Sequence, residues 1–251
     1  MNSHTKQLTI PKNHVIIIML DIKRWDYMIK KIFLGFTLAE LIVAMAIVGS
    51  VAAITLPPLI TNHQNKVMQI SLQKAYRDLE NNLEELQAND YKKGFYHSKL
   101  ASTEGVADFL ANYYNRDRDC GNETQPCFAA TYASIYAPST DVEFSCEDGI
   151  SAQLKDSTAI CIIPATPAQE AKEANPDTGE EAQEAKDAVP ATVYIDVNAN
   201  EPPNIGGRDM FKFQIINFSI VDNNAETSCT TSTVGAGCLN HIINDNWKVR
   251  Y

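Results

Sequence analysis

An apolar segment at residues 36–56, FTLAELIVAMAIVGSVAAITL, constrains this chain more than any other feature of its sequence. As an α-helix its 21 residues would be about 31 Å long, which matches the hydrocarbon core of a bilayer. Its single charged residue is Glu40. Pro57, Pro58 and a helical pattern follow it instead of a signal-peptidase site, so we expect the segment to remain as a membrane anchor.

Charge is distributed unevenly on the two sides of this segment. Residues 1–35 contain 6 basic and 2 acidic residues, whereas the rest of the chain contains 15 basic and 29 acidic residues and has a formal net charge of −14. The basic flank predicts a single-pass protein of the cytoplasmic membrane with an extracytoplasmic C-terminal head. The acidic balance of that head disfavours general nucleic-acid binding.

All six cysteines follow the apolar segment, and none of them forms a C-x-x-C pair. An even number of cysteines in an exported domain predicts disulfides. Six cysteines allow 15 connectivities, of which pairing between sequence neighbours closes the shortest loops. The predicted pairs are therefore Cys120–Cys127, Cys146–Cys161 and Cys229–Cys238.

The residues at the start of the apolar segment have a specific order. A basic pair at positions 30 and 31 precedes Gly35, and Phe36, Thr37 and Glu40 follow. This order resembles the prepilin signature of type IV pilins and type II secretion pseudopilins. The resemblance implies that a prepilin peptidase cuts after Gly35 and methylates Phe36. It also implies that an assembly platform protein builds a filament of such subunits, in the periplasm or at the cell surface.

Glu40 is then the fifth residue of the mature chain. A carboxylate in a lipid-facing helix is costly without a partner. The resemblance implies that the partner is the α-amino group of a neighbouring pilin or pseudopilin subunit. The alternative is an ordinary signal anchor that tolerates one glutamate near the membrane edge.

The same resemblance implies an α+β, pilin-like fold, in which a long N-terminal helix packs on a small antiparallel sheet. We expect a leader at residues 1–35, with 1–27 upstream of the true start, and an assembly helix at 36–57. Leu72, Leu79 and Leu83 share one helical face, which predicts an amphipathic spine helix over 58–90. Pro57 removes an amide donor, so we expect the helix to bend or loosen there, with a plain kink unrelated to assembly as the alternative.

Residues 91–251 are expected to form the head. Helical periodicity is not evident beyond Tyr91, and β-rich runs at 131–136, 158–163, 192–197 and 211–221 predict strands. Residues 164–190 are rich in Ala, Glu and Lys and contain a repeat at an offset of 14 residues, AQEAKEA and AQEAKDA. This composition predicts a mobile insertion at the tip of a hairpin.

The loop at 196–209 concentrates side-chain oxygens, including those of Asp196, Asn198 and Asp209. Hard cations prefer such ligands, and the loop is similar to one in pseudopilin heads, some of which hold calcium. Ala199 stands where those loops usually have glycine. Calcium is therefore the one cofactor that we consider, and the alternative is that these residues only cap turns.

Motifs of hydrolases, kinases or dinucleotide-binding enzymes do not occur in the sequence, so we expect a structural subunit and not an enzyme. The first alternative is a membrane-anchored binding domain that does not polymerise. The second is a competence-type pilin for DNA uptake, because aromatic and basic residues alternate around residues 91–118. The sequence does not choose between secretion, adhesion, motility and DNA uptake.

Overall fold

The computed structural model of the protein describes residues 37–90, 94–138, 140–170, 184–222 and 229–248. The chain divides into two compact units, Met1–Leu59 and Ile60–Tyr251. The protein is α+β, with a long N-terminal helix and a curled mixed sheet.

Three α-helices occur among the described residues: α1 at Leu38–Asp90, α2 at Thr103–Tyr113 and α3 at Cys238–Asn244. Helix α1 has 53 residues and contains Pro57 and Pro58. The helix assignment runs through both prolines without a break, and the expected bend or loosening at Pro57 stays a prediction. Each proline removes only its own amide donor, and the helical turns on both sides can still form their hydrogen bonds.

In the second unit, one face of α1 is buried. The buried leucines of this face follow helical spacing: Leu72, Leu79, Leu83 and Leu86. They belong to one apolar cluster with sheet residues such as Ile160, Val193 and Phe211. Because each buried leucine contributes about 1.5–3 kcal/mol, this stripe is a main source of the stability of the unit.

In the described part of the chain, nine strands form the sheet: β1 Arg116–Gly121, β2 Thr131–Ser134, β3 Val142–Glu143, β4 Ile150–Leu154, β5 Ala159–Ile163, β6 Ala191–Asp196, β7 Ile205–Gly206, β8 Met210–Ile216 and β9 Ser219–Val221. The order among the described residues is β1-β4-β5-β6-β8-β7-β2-β3, with β9 also paired to β8. Alternate residues of β5 lie in two different apolar clusters, so both faces of the sheet are covered.

The prediction of an antiparallel sheet is wrong in one part, because the sheet also contains parallel pairings. Strand β7 pairs in parallel with both β2 and β8, whereas the other pairings are antiparallel. Strand β7 has only two residues and follows a loop that returns beside β8. A strand this short has no alternation of apolar and polar residues from which pairing could be predicted.

The prediction that no helix follows Tyr91 is also wrong, because α2 and α3 lie beyond it. Helix α2 begins after Ser102, whose Oγ accepts a hydrogen bond from the Gly105 amide at 3.1 Å. It buries Val106, Phe109 and Leu110 in the same cluster as the α1 leucines. A Cβ at Gly105 would lie 2.3 Å from the carbonyl oxygen of Lys99, so glycine is required for the close approach of this turn.

The insertion at 164–190 joins β5 to β6. Its two ends pair with each other: the amide of Thr166 donates to the carbonyl of Val189 at 3.0 Å, and that of Gln169 to the carbonyl of Lys186 at 2.9 Å. These ends therefore extend the β5–β6 hairpin and are not an unpaired loop. Residues 171–183, which contain much of the repeat, lie outside the described residues.

Candidate functional site

The N-terminal end of α1 is closed by a hydrogen-bonded box between Thr37 and Glu40. The Glu40 amide donates to Thr37 Oγ1 at 3.2 Å, while Glu40 Oε2 accepts from the Thr37 amide at 2.9 Å and from its hydroxyl at 2.8 Å. This reciprocal arrangement is a capping box, which satisfies amides that have no partner inside a helix. Glu40 thus has a local structural role in addition to any intersubunit role. Gly35 and Phe36 lie outside the described residues.

The apolar residues that follow Glu40 are exposed on the protein. Helix α1 is long and apolar enough to cross a membrane, and none of its apolar window is buried within the protein. Exposed side chains of this size normally mark a membrane or protein contact.

Three disulfides join Cys120 to Cys127, Cys146 to Cys161 and Cys229 to Cys238, which are the three neighbour pairs that the sequence predicted. Cys146–Cys161 fixes the loop before β4 to strand β5, and both of its cysteines are fully buried. Closing a loop of 15 residues stabilises a fold by about 3 kcal/mol in the chain-entropy account.

Two buried carboxylates lie at neighbouring strand ends. Asp196 ends β6 and Asp209 precedes β8, and both side chains have no exposed surface. Asp196 Oδ2 accepts a hydrogen bond from the Tyr132 hydroxyl at 2.5 Å, and Asp196 Oδ1 accepts from the Asn198 amide at 3.0 Å. Asp209 Oδ1 accepts from the Ile205 amide at 2.6 Å. The loop therefore holds both acids by backbone amides and one phenol.

Three side-chain oxygens of this loop are buried without a hydrogen-bond partner: Asn198 Oδ1, Asn204 Oδ1 and Asp209 Oδ2. A buried acceptor without a partner costs about 1–3 kcal/mol. No three His, Cys, Asp or Glu side chains come together as a metal site in the described part of the chain. Calcium, however, also takes carboxamide and backbone oxygens. The three oxygens without partners are therefore of the kind that a hard cation binds. Two of them are carboxamide oxygens and one is a carboxylate oxygen.

The electrostatics of the loop are unfavourable for two ionised acids. Burial, followed by the nearby charge of Asp209, raises the pKa of Asp196 well above its ordinary value. Burial also raises the pKa of Asp209 to about 6, against the opposing effects of backbone hydrogen bonds and of Arg208. A bound cation or a retained proton would relieve this strain.

Asp196 accepts a hydrogen bond from the Asn198 amide and lies near the charge of Asp209, while a metal site at these residues stays a prediction. The structure adds two residues to this loop. Asn204 contributes an oxygen, and Tyr132 contributes its hydroxyl from strand β2. Asn204 was part of the oxygen-rich pattern, whereas Tyr132 is 64 residues away from Asp196 and only the fold connects them. Ala199 has a φ of +57°, so it adopts the left-handed conformation that glycine favours.

No protein-family model, curated protein or solved structure matches the chain. The fold and the site therefore define its class by themselves. It is an α+β protein with three disulfides and, among the residues that the structure describes, one helix that is long and apolar enough to cross a membrane.

Proposed function

We propose that this protein is a structural subunit, a pseudopilin or minor pilin, of a type IV pilus or type II secretion filament. The observation that carries the proposal is the order Gly35, Phe36, Thr37 and Glu40 at the entrance of the apolar helix. In the prepilin family this order directs cleavage, methylation and assembly. An ordinary membrane anchor requires only the apolar residues.

The structure supports the proposal in three ways. Helix α1 begins at Leu38, two residues after the cleavage position, so a processed chain would enter the helix almost at once. The apolar part of α1 is exposed, which leaves it available first to lipid and then to the helices of neighbouring subunits. The three disulfides fit an oxidising compartment outside the cytoplasm.

The experiment separates the charge of Glu40 from its capping role. Glu40→Gln retains an oxygen that can accept from Thr37 but removes the charge, whereas Glu40→Ala removes both. Loss of the cap costs about 1 kcal/mol and should leave the head folded. We expect both variants to accumulate in the membrane and to be absent from sheared filaments.

Thr37→Ala is the matched control, because it weakens the same capping box and retains the charge. It should enter filaments. If Glu40→Gln enters filaments as well as the unchanged chain does, assembly does not require a charge pair between Glu40 and a neighbouring subunit. An uncleaved chain that stays monomeric would favour a membrane-anchored binding domain instead.

We propose further that the loop between β6 and β8 binds a calcium ion. Asn198, Asn204 and Asp209 would hold it with the side-chain oxygens that have no partner, and Asp196 would add negative charge nearby. A bound ion would supply positive charge to a loop that buries two acids, and binding to the folded state alone would stabilise that state.

Thermal unfolding of the full-length protein in detergent tests this proposal, with a chelator or with millimolar calcium. Calcium should raise the melting temperature of the unchanged protein, and Asp209→Asn should abolish that increase. Magnesium is the control, since its small octahedral shell fits poorly in a site made of carboxamides. Equal melting temperatures with chelator and with calcium would leave only the turn-capping role.

A further inference from the structure

The disulfide between Cys229 and Cys238 packs directly on the loop at 196–209. It joins the two ends of the 229–238 segment. A Cβ added at Gly207 would lie 2.6 Å from Cys238 Sγ and 3.2 Å from Cys229 Sγ, so the backbone of the loop lies against both sulfur atoms. The disulfide is therefore part of the surface on which this loop folds.

The 229–238 segment also contacts the loop and strand β8 through its backbone. A Cβ at Gly206 would collide with the carbonyl oxygen of Ser232. Ala236 forms a parallel bridge with Lys212, which lies in β8 directly after the loop. Within the segment, buried Ser232 accepts a hydrogen bond at its Oγ from the Ala236 amide at 2.9 Å. Two backbones packed this closely leave little space for either to move alone.

Short-range hydrogen bonds hold the loop in its closed form. The Ile205 amide donates to Asp209 Oδ1 at 2.6 Å, and the Asp209 amide donates to the Ile205 carbonyl at 3.2 Å. The Gly207 amide donates to the Met210 carbonyl at 2.7 Å. If the loop opens, these amides become free to exchange with solvent. Their exchange rates therefore report how often it opens.

The three disulfides differ in their access to solvent. Both cysteines of Cys146–Cys161 are fully buried, whereas Cys229 is partly exposed and its partner Cys238 is buried. One thiolate of a dithiol reductant can attack Cys229 Sγ, which forms a mixed disulfide and releases the Cys238 thiolate. The second thiol of the reductant then displaces the Cys229 thiolate. The reductant is oxidised to a disulfide, and the two cysteines gain two electrons and two protons.

These contacts make the disulfide a control point for the loop. We propose that Cys229–Cys238 is a redox-sensitive switch, which a dithiol reductant opens. In the oxidised protein the 229–238 segment holds the loop closed. Reduction returns chain freedom to this segment, so the loop opens more often. The proposal goes beyond the filament and calcium proposals and depends on neither, because no contact that carries it involves a neighbouring subunit or a cation.

Hydrogen exchange of the full-length protein, in detergent with a chelator and read by mass spectrometry, tests this switch. The peptide that contains Ile205, Gly207 and Asp209 is compared before and after treatment with dithiothreitol. Loss of a cross-link over nine residues changes the population of open forms by about 10- to 100-fold, and we expect exchange in this peptide to accelerate by that factor. Peptides from the leucine stripe of α1 should exchange at an unchanged rate.

The double variant Cys229→Ser, Cys238→Ser should show the same fast exchange without reductant. The matched control is Cys120→Ser, Cys127→Ser, which also removes a disulfide with one partly exposed and one buried cysteine. Cys120 lies in β1 at one end of the strand order, whereas β7 of the loop lies near the other end. The control variant should leave the loop peptide protected.

Labelling with iodoacetamide during reduction measures the access of each disulfide in the unchanged protein. Cys229 and Cys238 should be labelled before Cys146 and Cys161. If the double variant does not fold, this time course decides, because exchange of the loop peptide must rise in step with the labelling of Cys229 and Cys238.

Four results would overturn the proposal. The first is that the loop peptide exchanges at the same rate with and without this disulfide. The second is that all peptides of the head accelerate together, which would make the disulfide a general stabiliser. The third is that the control variant accelerates the loop peptide equally. The fourth is that Cys146 and Cys161 are labelled as early as Cys229 and Cys238, because reduction would then not select the switch.

Discussion

Replacing Tyr132 by phenylalanine should destabilise the head, because the Tyr132 hydroxyl connects two buried groups. It donates to Asp196 Oδ2 at 2.5 Å and accepts from the Ala129 amide at 3.2 Å. Burial, followed by the charge of Asp196, raises the pKa of Tyr132, so the phenol remains protonated. Tyr132→Phe leaves the ring in place and removes both hydrogen bonds.

The size of the effect follows from these two bonds. A buried hydrogen bond contributes about 0.5–1.5 kcal/mol between neutral groups and about 1.5–3 kcal/mol when one group is charged. The Asp196 carboxylate and the Ala129 amide are also left without this partner. We expect a loss of about 2–4 kcal/mol, or about 5–15 °C in melting temperature for a domain of this size.

The assay is thermal unfolding of the full-length protein in detergent, followed by near-ultraviolet circular dichroism. Tyr114→Phe is the control, since it makes the same chemical change at a hydroxyl without a partner. It should leave the free energy of unfolding unchanged or raise it by up to about 1–3 kcal/mol, because it removes a buried polar group without a partner. If the two variants melt at the same temperature, the assignment of partners to these hydroxyls is wrong.

Three further predictions concern the core, a turn and pH. Leu79→Ala should cost about 2–5 kcal/mol in a denaturant titration because Leu79 is fully buried, whereas Ile70→Ala, at a site that is 58% exposed, should cost much less. Gly207→Ala should lower the melting temperature strongly, since φ is +84° and the new Cβ would lie 2.6 Å from the disulfide-bonded Cys238 Sγ; a melting temperature unchanged from that of the parent would contradict this. In the absence of calcium, stability should fall as pH rises from about 4 to 6, because the folded pKa of Asp209, about 6, exceeds its unfolded value of 3.8. The limit of this effect is about 3 kcal/mol. Asp209→Asn should reduce the slope of the pH profile without removing it, because burial raises the pKa of Asp196 as well.

The parts of the fold that the sequence predicted depend on local patterns. The apolar segment and strand β5 are continuous apolar runs, whereas the leucine stripe of α1 follows helical spacing and strands β6 and β8 alternate, and a short window contains each of these patterns. The disulfides could be paired because short loops close most easily, and the fold places these neighbours together.

The parts that the sequence did not predict depend on tertiary partners. Strand β1 has the sequence RDRDCG, whose charges suit an edge strand but give no apolar alternation. Helix α2 does contain helically spaced apolar residues, yet its short length and Gly105 hide them among loop signals. For the candidate sites, the oxygens of the loop at 196–209 were visible in the sequence. The Tyr132 contact and the packing of the Cys229–Cys238 disulfide on Gly207 require elements that only folding brings together.

The mass and N-terminal sequence of the protein extracted from membranes test the central proposal most directly. The account predicts a chain that begins at Phe36 with one methyl group on its α-amino nitrogen. Chains expressed in cells without the prepilin peptidase should retain Gly35 and the residues before it. Membrane-extracted protein that still contains residues 30–35, in cells with an active prepilin peptidase, would contradict the assignment to a pilin-type filament.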